Sequence, residues 1–247
     1  VAGGVAGLLL SVLLFAPASW LASRVARATE GHVLLQDARG TVWNGSAVLV
    51  LTGGTGSSDA AALPTRLAWQ LRPAWGGARL ALRTECCTPA PLQVRVRAGW
   101  RRTTVAFVDG ASSWPAALLA GLGTPWNTLQ PDGELAFSTQ GLSLEWAEGR
   151  LAMAGRAELL AQRMSSRLST LRPMGSYRLV LAGGAVPALQ LSTVEGDLRL
   201  TGSGQWVGSR LRFTGEASAS PEREAALTNL LNIIGRRNGA RSIITIG

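Results

Sequence analysis

Polar and apolar residues alternate along most of this chain. In Arg66-Leu67-Ala68-Trp69-Gln70-Leu71-Arg72 the odd positions are apolar and the even ones mostly polar, the period of a strand with one buried face. Leu92, Val94, Val96 and Ala98 alternate with Gln93, Arg95 and Arg97 in the same way. The pattern returns at 80–82, 142–146, 177–181, 198–200 and 211–213. The connections are Gly-rich and too short for crossover helices, so the strands are expected to pair as antiparallel neighbours. The predicted class is mainly β: one or more curved antiparallel sheets built from hairpins.

Three segments depart from this period. Residues 112–133 are punctuated by Pro and Gly, with a short helix predicted over 115–119. They separate a first β lobe, 23–111, from a second, 134–247, and serve as the linker between them. Near the C-terminus, Ser220-Pro221-Glu222 resembles a helix start, and Leu227, Leu230, Leu231 and Ile234 form one apolar stripe. Arg236 and Arg237 followed by Asn238-Gly239 supply the stop, and a last strand is expected over 242–246.

The third departure is the N-terminus. Residues 1–22 carry no charge, and about 20 apolar residues span a bilayer's hydrocarbon core. The expectation is an inner-membrane transmembrane helix carried by Val5, Leu8, Leu9, Leu10, Val12, Leu13, Leu14, Phe15, Trp20 and Leu21, with the bulk of the chain periplasmic. Pro17, and the likeness of Ala16-Pro17-Ala18 to a signal-peptidase site, keep a cleaved signal as the alternative. Residues 19–31 can continue as a short amphipathic helix leading off the membrane.

Composition narrows the chemistry. The 247 residues carry a net charge of +9, and all 24 basic residues are Arg. Without Lys, P-loop and Schiff-base chemistry are excluded. His32 is the one histidine, no Gly-x-Ser-x-Gly elbow occurs, and no His, Cys and acid set has ligand spacing. Glu195/Asp197 and Glu145/Glu148 read as solvated hairpin ends rather than acid–base couples. The Gly-rich 53–58 lacks a following helix and reads as a hairpin loop. No catalytic, cofactor or metal residues are assigned, and the chain is read as a non-enzyme. Adjacent Cys86 and Cys87 lack the two-residue spacer of a redox motif. They are read as unbonded or vicinally bonded at a strand end.

Two features remain. Trp43, Trp75, Trp146 and Trp206 each stand shortly before a glycine. They are read as strand-end residues packing over a sheet rim, Asn44-Gly45 suiting a type I′ turn; the rival reading is a row of interfacial anchors for a partner or lipid surface. Secondly, Arg66, Arg72, Arg79, Arg83, Arg95, Arg97, Arg101 and Arg102 face the single acid Glu85 between positions 66 and 102. An outward guanidinium-rich face attracts carboxylates or phosphates. Acidic protein surfaces or anionic lipid fit it better than nucleic acid, for which the aromatic residues offer no stacking platform.

With "PASWLA", "GTVWNG", "LPTRLAWQLRP", "GLGTPWNTLQPDG", "MSSRLSTLRPMGSYRL", "LSTVEGDLRLTGSGQW", "FTGEASA" and "ALTNLLNIIGRR" in this order, the chain resembles the type II secretion system protein N family. The resemblance implies a single-pass inner-membrane protein with a periplasmic domain. It would be an accessory part of the machine that exports folded proteins across the outer membrane, its partners the inner-membrane platform and the outer-membrane secretin. It implies no active-site residues. A second function is open on the residues alone: a curved sheet with an apolar groove could handle lipid in the periplasm.

Overall fold

The structure, a computed structural model, describes residues 15–148, 150–208 and 210–247. Among the described residues fifteen strands form one sheet. In chain order they are β1 (Val33–Gly40), β2 (Asn44–Thr52), β3 (Ala60–Ala74), β4 (Gly77–Thr84), β5 (Leu92–Ala98), β6 (Arg102–Phe107), β7 (Gly110–Pro115) and β8 (Asp132–Ala147). There follow β9 (Arg150–Ser165), β10 (Gly175–Gly184), β11 (Ala188–Gly196), β12 (Leu198–Val207), β13 (Arg210–Ala219), β14 (Arg236–Asn238) and β15 (Arg241–Ile246). Every recorded pairing is antiparallel, and neighbours in sequence are mostly neighbours in the sheet. Short hairpin connections allow little else.

The strands on either side of residues 112–133 belong to this same sheet. β6 pairs with the second half of β8, from Ser143 to Ala147, and β7 pairs with its first half. Where one partner gives way to the other, β8 and β9 shift register between Gln140 and Ser143. Gly141 and Gly155 both adopt positive φ at this bulge, and a β-carbon on Gly155 would collide with the Gly141 carbonyl. Asp109 Oδ1 accepts the Gly141 N–H at 2.6 Å, which satisfies a donor the bulge removes from the ladder.

The expected inter-lobe helix is a 3-10 turn, Ala116–Leu122, followed by a single α-turn, α2 (Trp126–Leu129). The expected helix near the C-terminus is α3 (Glu224–Ile234). Its start differs in detail: Pro221–Arg223 forms a 3-10 turn first, and the Ser220 hydroxyl donates to Asp197 Oδ1 rather than capping the helix. Its end differs too, because α3 stops at Ile234 and Arg236–Asn238 is strand β14. Asn238 is therefore the last residue of β14, and Gly239-Ala240 turn the hairpin into β15 instead of ending a helix.

The expected transmembrane helix falls largely outside the described residues, Val5, Leu8, Leu9, Leu10, Val12, Leu13 and Leu14 among them. Among the described residues no helix is long and apolar enough to cross a membrane. Pro17 precedes a new helix, α1 (Ala18–Ala28), which is amphipathic, as 19–31 suggested. Phe15 and Trp20 are exposed, and Leu21, assigned above to the anchor, packs instead with buried Ala18, Ala47 and Trp69. Thr29 closes α1 by donating to the Val25 carbonyl and accepting the Val33 N–H, so the helix turns directly into β1.

The largest core cluster lies under α3: Leu227, Leu230 and Leu231 pack on Met174, Tyr177, Leu198 and Ala217. Ser242, fully buried, donates to the Leu231 carbonyl at 2.6 Å and ties the helix to β15. Tyr177 is 7% exposed, and its hydroxyl has no hydrogen-bond partner among the described residues. Burial pushes this phenol far above the ordinary tyrosine range. An unsatisfied buried hydroxyl costs about 1–3 kcal/mol, so Tyr177→Phe is expected to raise stability by about 1 kcal/mol, measured by denaturant unfolding. A loss of stability would show that the hydroxyl is satisfied.

Candidate functional site

Strand register sets the arginines side by side. Arg72 on β3 stands opposite Arg79 on β4, and Arg79 stands opposite Arg95 on β5. Arg97 is opposite Gly77, and Arg83 is opposite Ala68. All five are exposed, alternating with half-buried Leu80, Leu82, Leu92, Val94 and Val96 on the other face. Among the described residues none of the five has a carboxylate within the 4.0 Å of an ion pair. Like charges placed directly opposite repel, so this row opposes its own sheet unless an anion covers it.

The other three predicted arginines are engaged within the chain. Arg66 donates to Asp37 Oδ2 at 2.8 Å, to the Asp37 carbonyl at 2.7 Å and to Ser46, clamping the β1 bulge onto β3. Hydrogen bonds from Arg39 and then Arg66 hold the Asp37 carboxyl below the usual carboxylate range. The clamp is therefore complete at neutral pH and weakens as acid protonates Asp37. Arg101 pairs with Glu148 and Arg102 with Glu145, each at 3.1 Å and exposed, contacts that add little stability.

The four turn tryptophans lie at one end of the sheet. Because successive strands alternate direction, the β1–β2, β3–β4, β5–β6, β8–β9, β10–β11 and β12–β13 turns all lie on one rim. Trp75 is fully exposed at the β3–β4 turn, and Trp100, which the Trp-before-Gly pattern missed, is fully exposed at the β5–β6 turn. The Ala98 N–H donates to the Gly76 carbonyl at 2.8 Å and joins these two tips. Trp146 is 44% exposed, while Trp206 and Trp43 are half-buried. Phe15 enters the domain on this rim, since Pro17 bridges Thr41 and the Val42 N–H donates to the Ala16 carbonyl.

Asn44-Gly45 is not the turn of its hairpin. The reversal runs through 41–43, and Asn44 and Gly45 already pair with Gln70 and Trp69 in the ladder. Gly45 is held small from two sides: a β-carbon there would come within 2.6 Å of Trp69 Cζ2 and within 2.7 and 2.8 Å of the Arg39 and Thr41 carbonyl oxygens. The Trp69 indole N–H donates to the Val42 carbonyl at 3.1 Å, which fixes the hairpin tip from inside.

Farther along the inner face lies an apolar groove of about 430 Å³. Residues of β8–β13 and β15 form its floor, among them Leu159, Leu179, Leu191, Leu200 and Ile244. Trp126 and Leu129 of α2 and Leu230 and Ile234 of α3 stand at its edges. Its Ser165 and Ser166 wall is shared with a polar pocket of about 230 Å³ that also holds Gln130, Asp132, Arg167 and Arg172.

Cys86 and Cys87 are disulfide-bonded to each other in the β4–β5 connection, Cys87 buried beside Leu63 and Leu118. His32 is exposed, its Nδ1 beside the Thr29 carbonyl at 2.9 Å. Among the described residues no three His, Cys or acid side chains are grouped to hold a metal. Glu195 accepts from Ser176, and Asp197 from Ser220, as structural hydrogen bonds.

No curated protein and no solved structure matches the chain. The family model of type II secretion system protein N matches residues 31–244, from just before β1 into β15. A match across nearly all of the sheet shows that this chain belongs to the type II secretion system protein N family.

Proposed function

We propose that this protein is an accessory, non-enzymatic component of the type II secretion system, held at the inner membrane, whose periplasmic β domain binds other secretion components through its arginine face. The observation that carries the reading is the row Arg72, Arg79 and Arg95, three like charges in cross-strand register with no carboxylate partner among the described residues. A fold keeps such a row when an outside anion offsets its repulsion, and planar guanidinium groups suit carboxylates. The rim supports an orientation. Exposed Trp75 and Trp100 suit a membrane interface, where an aromatic body and a polar edge are both satisfied. The uncharged N-terminal stretch joins the domain on this rim. The arginine row, two residues in from the β3–β4 tip, then lies close to the bilayer surface, within reach of acidic periplasmic surfaces of the inner-membrane platform and the secretin.

Arg95→Glu with Arg97→Glu is expected to abolish pulldown of platform and secretin proteins by the full chain from solubilised envelopes, with its melting temperature unchanged or slightly raised, since Arg79 gains an opposite charge across the strands. Undiminished capture would remove the arginine face from the reading. Steep loss of wild-type capture as salt rises is the accompanying signature.

A further inference from the structure

We propose that the inner groove is a binding site for one acyl chain of an anionic lipid, with the headgroup held in the adjoining pocket by Arg167 and Arg172. This site shares no residue with the arginine face, and its test needs no secretion partner.

Three observations meet here. The groove, about 430 Å³, falls within the size range of small-molecule pockets. Its wall is almost wholly aliphatic and aromatic carbon, the lining a methylene chain needs and a peptide backbone does not tolerate without hydrogen-bond partners. The smaller pocket meets it at Ser165 and Ser166 and carries two guanidinium groups against one carboxylate, Asp132. Arg167 donates to Gln130 Oε1 at 3.1 Å, and among the described residues neither Arg167 nor Arg172 has an acid within ion-pair distance. An apolar trough that ends at paired cations has the polarity of an anionic amphiphile.

The occupant follows from this division of polarity. A transmembrane segment of a partner or a second copy would cover the groove but would not need the cations at its end. An anionic lipid uses both halves.

The test uses the full chain in its native envelope. The probe is lysophosphatidylglycerol with a diazirine near the end of its acyl chain, compared with the zwitterionic lysophosphatidylcholine bearing the same chain. Crosslinked residues are read by mass spectrometry. The expected result is labelling concentrated on Leu189, Leu191, Leu198 and Leu200, stronger with the anionic probe. Unlabelled competitors should gain about fourfold in potency per added methylene. Arg167→Glu with Arg172→Glu, both on exposed side chains, should weaken labelling by the anionic probe about tenfold or more and affect the zwitterionic probe, whose choline offsets its phosphate, much less. Ala161→Phe, which fills the groove, should block both probes, and the surface pair remains decisive if that variant fails to fold. Equal labelling by the two headgroups would show that the groove takes an acyl chain without regard to charge and would overturn the assignment to an anionic lipid. Labelling elsewhere, competition independent of chain length, or an unaffected double charge reversal would each overturn the proposal.

Discussion

Trp69→Ala is expected to lower the unfolding free energy by about 3–5 kcal/mol, seen as an earlier denaturant midpoint with an unchanged m-value. The side chain is 2% exposed and packs with Ala18 of α1 and Ala47 of β2. Its loss removes a large aromatic volume, and it also strands the Val42 carbonyl that the indole N–H satisfies. The same residue joins α1 to the sheet, so the N-terminal helix should lose amide-exchange protection before the rest of the chain. Gly45→Ala attacks the same contact from the opposite side, placing a β-carbon where the indole lies. The Arg39 and Thr41 carbonyls crowd the same β-carbon at 2.7 and 2.8 Å, so Gly45→Ala should be only partly less damaging in the Trp69→Ala background. Full additivity would show that those carbonyls alone set its cost.

Leu231→Ala should cost about 2–5 kcal/mol. Leu231 is completely buried, its carbonyl accepts from Ser242, and its helix closes the largest core cluster. For a chain of this size a loss of about 3 kcal/mol lowers the melting temperature by roughly 6–12 °C. Leu230 and Ile234 of the same helix border the groove, so loosening α3 should also weaken any ligand held there. Leu151→Ala, at a half-exposed position, is the control and should change stability by no more than about 0.5 kcal/mol.

Much of the fold was legible because its signal is local. A strand with one buried face must alternate, and 92–98 does so without interruption and 66–72 with Ala68 as its one exception. Both are strands, with Arg95 and Arg97 outward. The stripe Leu227, Leu230, Leu231 and Ile234 fits a helical period and no other, and α3 carries it. The errors came where one motif serves two structures. Asn-Gly suits a type I′ turn, yet Gly45 is a ladder residue kept small by the Arg39 and Thr41 carbonyls and by a tryptophan 24 positions away, the last a relation no local window contains. Asn238-Gly239 follows a helix in sequence, but Asn238 ends β14 and Gly239 opens the turn of a hairpin. Trp100 escaped notice because it follows its glycine.

The arginine face was legible as a composition and illegible as a geometry. Eight arginines stood out against one acid, but which of them lie unpaired depended on acids remote in sequence. Asp37 engages Arg66, Glu145 engages Arg102 and Glu148 engages Arg101. The groove was foreseen only as a possibility, since its floor collects residues from Leu135 to Ile246.

By itself, then, the order of residues determined the strand-rich class, the antiparallel hairpins, the C-terminal helix and the poverty of catalytic groups. These follow from period, connection length and inventory, which act within a few residues or over the whole composition. Only the tertiary structure decided that the strands form one sheet, that Arg72, Arg79 and Arg95 stand in a row, and that Trp75 and Trp100 share a rim with the N-terminal connection. Register is the physical reason. Sliding a strand by one residue sends every side chain to the opposite face, and cross-strand pairing and packing across the whole sheet, rather than any single segment, select the register that buries Trp69 and leaves the guanidinium groups in water.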